Sequence, residues 1–454
     1  HPATIAISQA PAHWGDVTVK PVAVVHPSVD PARNALTYYW KVTSNSITGI
    51  LPGSISHTYH YIPADVTGND NTYITGVYRP FAWVKGDALQ VDIIGKNIYF
   101  PAIQYLDGEY TAGETAAFGV VKVYYSRANG DWDTPTTWSL ISNADATSPG
   151  TIPGPSDLVV IGDGGSNNHV VTISANTKII SGLQINTGST LDVNTTTGHE
   201  FGSVTGTGKL RVSSPTGTAI FPSGDFGSFL GATSGTVEYY TETAPGNIGV
   251  AFTMPTTYLV GGNPVNIATY YNLILSPATG KDITMPNTDL LIYKDLNINV
   301  SGTSTTGIAQ LNNQNTTLTI TINGNLNVNN GNLQFTNGGN TAQNMSVVGD
   351  VTITSGAIFD VAANLAATNT LSIQGNLTNN GIFDLIAGAT QICNVTFTGA
   401  ANKQISGTTA TRTDFNTLTI NKGVDRTSIL EATVNAMTLN GSLATAMPLT
   451  NGTF

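Results

Sequence analysis

The sequence predicts an all-β protein: an N-terminal β-sandwich of immunoglobulin-like type followed by a parallel β-solenoid. Three observations predict it. First, residues 318–335, 345–361 and 371–385 superimpose, each an apolar alternation, a Gly, a second alternation, a Gly and a third alternation. The first glycines, Gly324, Gly349 and Gly375, are 25 and 26 residues apart, and the second, Gly331, Gly356 and Gly381, are 25 apart each time. A period of this length marks one unit stacked on copies of itself. Second, only 10% of residues are charged while 40% are hydrophobic, and Gly, Thr, Asn and Ser are abundant. That composition suits strands whose outward positions carry Thr and Asn. Third, all five Trp, five of the seven His and eleven of the seventeen Tyr precede residue 139, so two halves of different chemistry are joined.

The first part, 1–125, reads as short strands at 3–8, 17–25, 36–42, 73–78, 89–94, 97–100 and 118–125 with no helical periodicity. Seven strands at this spacing predict the sandwich. Trp40 falls on one face of a central strand and is expected in the core. Residues 126–155 form a Trp-, Pro- and Gly-rich connector, with Pro149-Gly and Pro153-Gly-Pro supplying its turns.

From 156 to 454 strand follows strand, and coils of about 25 residues solve the crossover problem of parallel pairing by winding the chain round. Leu, Ile, Val and Phe are expected inside, Thr, Asn and Ser outside, and Gly or Asn at corners that need positive φ. About twelve coils would give a rod on the order of 60 Å long. Asn323, Asn325, Asn327, Asn329 and Asn330 are expected to stack in amide ladders. Residues 241–268 break the period and are expected to project as loops. Residues 437–443 look like another rung, and the chain reads as a length of a longer protein.

The net charge of −11 argues against nucleic acid or an anionic membrane as partner. No run of 18 apolar residues is present. The single Cys393 excludes a disulfide within the chain and reads as a buried strand residue.

The run Tyr124-Tyr-Ser-Arg-Ala-Asn-Gly-Asp-Trp-Asp-Thr-Pro-Thr-Thr-Trp-Ser139, leading to Pro153-Gly-Pro-Ser-Asp-Leu-Val-Val-Ile161, resembles a module of large Bacteroidetes surface proteins. Tyr271-Asn-Leu-Ile-Leu275 and Phe415-Asn-Thr-Leu-Thr-Ile420 are similar to the filler repeats of those proteins. Tyr38-Tyr-Trp-Lys-Val42 and Asp107-Gly-Glu-Tyr-Thr-Ala-Gly-Glu114 are similar to their N-terminal regions. The resemblance implies export by the type IX secretion system and display outside the cell, in the gliding-motility or adhesin class.

A parallel β-helix also carries polysaccharide lyases and glycosidases, whose chemistry needs converging carboxylates or a Ca²⁺ cluster. In 156–454 the Glu residues are only Glu200, Glu238, Glu242 and Glu431, the basic residues number nine, and no line of acids is apparent. No catalytic or cofactor-binding residue is therefore nominated. Asp131, Asp133 and Asp163 are candidate Ca²⁺ ligands against a turn-capping alternative; Asp65 with Asp70 and Asp107 with Glu109 follow. His57, Tyr59 and Tyr61 alternate on one face of a partly exposed strand, and with Tyr239 and Tyr240 are candidate surface-contact aromatics. The expected function is a non-enzymatic stalk and multivalent contact surface whose partners are cell-surface or secretion-system proteins or extracellular glycans. The alternatives are a carbohydrate-binding or polysaccharide-cleaving β-helix, or a subunit of an extracellular fibre.

Overall fold

The computed structural model describes residues 1–454 apart from 48, 51–52, 80–81, 104–105, 120–121, 245–246, 300–306, 312–316, 336–340, 363–367, 387–391, 409–411 and 441–445. Two antiparallel sheets face each other at the N-terminus. One orders Ala3–Ile7, Ile55–His60, Asn97–Ile103 and Val91–Asp92; the other orders Asp16–Val22, Tyr39–Asn45, Gly108–Glu114, Tyr73–Arg79 and Ala82–Lys85. Alternation puts one face of each strand inward. The core therefore draws Trp40, Val42, Tyr73, Val77 and Tyr110 from the second sheet and Tyr59, Ile98 and Phe100 from the first. Trp40 is fully buried, as expected, and stacks on Tyr59 with ring centroids 4.9 Å apart.

Two expected strands differ. Residues 89–94 hold a helical turn, Ala88–Gln90, before the short strand Val91–Asp92, because the Asp87 carboxylate accepts from the Leu89 amide at 3.0 Å. Such a side chain competes with strand pairing for local backbone donors. Residues 118–125 are divided: Thr115–Phe118 is another helical turn, whereas Val123–Ser126 pairs in parallel with Leu158–Ile161. Gly108–Glu114 and Ala82–Lys85 were not expected as strands. The first is poor in strand formers, and its position between two neighbours overrides that preference.

The parallel stack is entered at Val123–Ser126, and its first face continues through Leu158–Ile161, Gly182–Ile185, Glu200–Thr205 and Ser223–Asp225. The second face is a 12-stranded sheet from Gly130–Asp131 to Leu430–Ala432. The first face resumes as eight strands from Thr269–Tyr270 to Leu449–Asn451, and a third face of eight strands runs from Phe252–Thr253 to Thr438–Leu439. Coils thus change from two strands to three at the insertion. Residues 241–268 are not irregular loops. They hold the antiparallel pair Glu242–Ala244 and Asn247–Ile248, the first strand of the third face, and a hairpin of Thr257–Val260 with Asn263–Asn266. Gly261 and Gly262 turn that hairpin at φ 58° and 85°, the geometry a two-residue turn requires. Of the expected rung 437–443, Thr438–Leu439 pairs with Asp414–Phe415, and 441–443 lie outside the described residues.

Inside the coils one hydrophobic core runs from Tyr124 to Leu430. Ile320, Met345, Leu371, Val395 and Leu418 stack in register on the first face, and Leu326, Val351, Leu377 and Ile405 on the second. Phe335, Phe359, Phe383 and Phe415 form an aromatic file with centroids 5.6, 5.6 and 5.3 Å apart. Cys393 is buried in the same interior, which pushes its thiol well above the ordinary range.

The corners hold the rungs together by a means different from the one expected. At the corner between first and second faces, each Asn or Asp side-chain oxygen accepts the backbone N–H of its counterpart one rung on. Asp295 serves Asn325, Asn325 serves Asp350, and Asp350 serves Asn376, all at 2.8 Å; Asn376 serves Gln404 at 3.0 Å. Amide-to-amide stacking, the expected form, appears at Asn297–Asn327 (3.0 Å), Asn299–Asn329 (2.9 Å) and Asn394–Asn416–Asn440 (2.8 and 2.9 Å). Positive φ explains Gly331 and Gly356, at 78° and 83°. It does not explain the first column. There a Cβ on Gly324, Gly349 or Gly375 would lie 2.2, 2.4 or 2.0 Å from the carbonyl oxygen of Lys294, Gly324 or Gly349 one rung below.

The two glycine classes predict different costs. Gly356→Ala meets open space and carries only the left-handed backbone penalty, roughly 1–2 kcal/mol. Gly349→Ala must separate two rungs and is expected to cost more, about 3 kcal/mol or above. Urea denaturation of both variants checks the order; equal midpoints would contradict the close-packing explanation.

Candidate functional site

The nominated acids are engaged in local structure. Asp131 Oδ1 accepts from the Asp133 amide at 2.8 Å, and Asp133 pairs with Lys178 Nζ at 2.7 Å. Asp163 Oδ1 accepts from the amides of Gly165 and Asn167, and its Oδ2 from the Asn167 side chain. Asp65 accepts from the Ile62 amide and meets His1 Nε2 at 2.7 Å, while Asp70 binds Lys96 and the Tyr61 hydroxyl. Among the described residues no group of three or more His, Cys, Asp or Glu side chains has the arrangement of a metal site.

The five candidate surface-contact aromatics are buried instead of exposed. His57, Tyr59 and Tyr61 do alternate on one face, but that face is the sandwich core, and all three are buried. His57 Nδ1 meets the Tyr59 hydroxyl at 2.6 Å, and burial lowers the His57 pKa to about 4. Tyr239 is buried inside the coil with its hydroxyl 2.8 Å from that of Tyr270. Tyr240 points to the outer side, yet the Arg211 guanidinium covers its ring at 3.8 Å. No ring of the five is available at the surface.

Arg211 belongs to a brace across three rungs of the second face, where Asp192, Arg211 and Glu238 are in register. It binds Asp192 at 2.7 Å and Glu238 at 3.1 Å; Lys209 and Ser276 each reach Glu238 at 2.9 Å. Burial alone would raise the Glu238 pKa, but Lys209 and Arg211 outweigh it and hold the carboxylate low. Every member has a partner, so this is a structural brace.

The third face overturns the expectation that no line of acids exists. Gln334, Asp360, Asp384 and Asp414 stand in register on successive strands, outward of the Phe file. Neighbouring carboxyls are therefore about one strand spacing, ~4.8 Å, apart along the column. Arg412 joins the lower two, binding Asp384 at 2.8 Å and also Asp414. Asp360 instead accepts from the Gln334 amide at 2.9 Å and the Asn332 amide at 3.3 Å. Burial, with Asp384 nearby, pushes its pKa up to about 6.

A cleft of about 480 Å³ lies between the sandwich and the solenoid hairpin, lined among others by Lys41, Tyr78, Arg79, Asp107, Glu109 and Gly261. Strand register sets it up: Glu109 lies directly between Lys41 and Tyr78 on neighbouring strands. Lys41 Nζ reaches Glu109 Oε1 at 2.7 Å, and His26 Nε2 reaches Oε2 at 2.6 Å. The Ser28 amide donates to His26 Nδ1 at 3.1 Å, so the ring is neutral and Nε2–H is the donor to Glu109. Burial among Tyr39, Tyr78 and Trp83, each ring 4.8 Å away, lowers the His26 pKa. Burial works to raise the Glu109 pKa, but Lys41 and His26 overcome it. Arg79 donates to the Gly261 carbonyl at 3.1 Å, tying the sandwich to the hairpin. A concave site with convergent polar groups and displaced pKa values is the default place to seek binding. In the sequence Asp107 with Glu109 stands out only as a secondary Ca²⁺ candidate, and nothing there marks His26 or the hairpin.

Among the described residues no helix is long and apolar enough to cross a membrane. No family model matches the chain, and neither does any curated protein or solved structure.

Asp360 makes stability depend on pH. Its folded pKa of about 6 exceeds the ordinary carboxyl value near 4, so its contribution is full below about pH 4 and lost as pH rises through about 6. Asp360→Asn is expected to remove on the order of 2 kcal/mol of the stability loss between pH 4 and 7. Urea unfolding of both proteins at four pH values checks it; parallel pH profiles would refute the assignment.

Proposed function

We propose that the chain is a non-enzymatic structural and adhesive segment of a large secreted bacterial surface protein, of the Bacteroidetes gliding-motility or adhesin class exported by type IX secretion. The solenoid serves as a stalk, and its surface and the sandwich make weak, repeated contacts with extracellular glycans or cell-surface proteins. The observation that carries this reading is the single core running from Tyr124 to Leu430 beneath outward positions dominated by Thr, Ser and Asn. On the first face, Thr319, Asn344, Thr370, Asn394 and Thr417 form one outward column, and Thr321, Ser346, Ser372, Thr396 and Thr419 another. Identical weak contacts on a rigid support multiply into useful avidity even when each is poor.

Beads coated densely with the 454-residue chain are expected to stay on surfaces bearing uncharged polysaccharide under flow, while the free chain competes only at far higher concentration. Failure of the beads to adhere to any polysaccharide or bacterial cell surface would end the adhesive reading.

A second reading, a polysaccharide-cleaving β-helix, is favoured by the column of Asp360, Asp384 and Asp414. Asp360, pushed up to about 6 by burial, stands one strand from Asp384, whose pKa burial also raises against the pull of Arg412, so the pair differs in degree as a glycosidase acid and its partner do. Under that reading, reducing ends accumulate from neutral or acidic polysaccharides between pH 5 and 7, on the order of 10²-fold more slowly after Asp384→Asn. No release from the unmodified protein would leave the column a structural ladder.

A further inference from the structure

We propose that the cleft between sandwich and hairpin binds a short stretch of uncharged carbohydrate, and that Asp107, Glu109 and Lys41 supply its hydrogen bonds. The inference rests on the adhesive reading and narrows it to one site and one ligand class.

The chemistry of the walls selects the ligand. Lys41 and Arg79 stand against Asp107 and Glu109, so the lining carries two cationic and two anionic side chains and favours neither a polyanion nor a polycation. Ile47, Ile50, Ile55 and Leu106 line the cleft beside the hydroxyl residues Thr43 and Ser44. A ligand matching both must offer apolar C–H surface together with groups that donate and accept. Sugar hydroxyls do both: they donate to the carboxylates and accept from Lys41.

An extended peptide fits less well. The strands that contribute the polar wall, Tyr39–Asn45, Gly108–Glu114 and Tyr73–Arg79, each have a hydrogen-bonded neighbour on both sides. They present no sheet edge for strand addition, so recognition must go through side chains.

One of the two acceptors is also held in place before any ligand arrives. Glu109 is fixed from one side by Lys41 and from beneath by the buried His26, so ordering it costs a ligand little. Asp107 is exposed at the rim, and its carboxylate has no partner among the described residues. Its hydrogen-bonding capacity is therefore open. Because the hairpin tip contributes Gly261, Gly262 and Asn263, an occupant touches sandwich and solenoid at once.

The test is isothermal titration of the full chain with cellohexaose, mannohexaose and maltohexaose, with oligogalacturonate and oligolysine as charged controls. At least one neutral oligosaccharide is expected to bind saturably and both controls to fail. Asp107→Asn, an exposed change that leaves the fold intact, is expected to weaken binding at least tenfold, and Lys41→Met to do the same. No binding by any neutral oligosaccharide, or binding undiminished by Asp107→Asn, overturns the proposal. Coated beads that adhere to polysaccharide equally well with Asp107→Asn would leave the adhesive reading standing and remove only the cleft from it.

Discussion

Everything from Val123 onward depends on one constraint: successive coils must lie about one strand spacing, ~4.8 Å, apart and in register. Hydrogen bonds between parallel strands impose it along the faces, but corners lack strand pairing and need another device. The Asp295–Asn325–Asp350–Asn376 file supplies it, each side-chain oxygen occupying a backbone N–H that would otherwise have no partner. The neighbouring glycines are the other half of the same device. A chain whose corner carbonyl sits where the next rung's Cβ would be can use only glycine there.

The same constraint governs the outer surface, because stacking brings together residues distant in sequence. It makes the Asp192–Arg211–Glu238 brace, the hydroxyl columns of the first face and the acid column of the third. The period of the coils was legible, since Gly324, Gly349 and Gly375 recur at nearly constant intervals. The acid column was not. Asp384 and Asp414 are separated by a longer coil than Asp360 and Asp384, so a constant period does not superimpose them. Register within a sheet is set by the pleat and the core, while coil length is absorbed in turns.

A similar limit operated in the sandwich. Alternation at His57, Tyr59 and Tyr61 correctly identified a strand with one aromatic face, but period alone does not say which face meets the other sheet. The packing of Trp40, Tyr110 and Phe100 against Tyr59 decides it, and those residues lie on three other strands. The cleft was half legible. Asp107 and Glu109 are close in sequence, but the supporting His26 and the hairpin at Gly261 arrive from far away. A cleft assembled from distant parts of the chain leaves only fragments in any one stretch of sequence.

Because the corner file is the device on which coil register rests, its amides carry the most direct test. Hydrogen exchange of the backbone N–H groups of Asn325, Asp350 and Asn376, none of which lies within a strand, measures it. They are expected to exchange as slowly as the strand amides of Leu326, Val351 and Leu377 beside them, opening only when whole rungs separate. Exchange at these corners as fast as in exposed turns, with the adjacent strands still protected, would contradict the account.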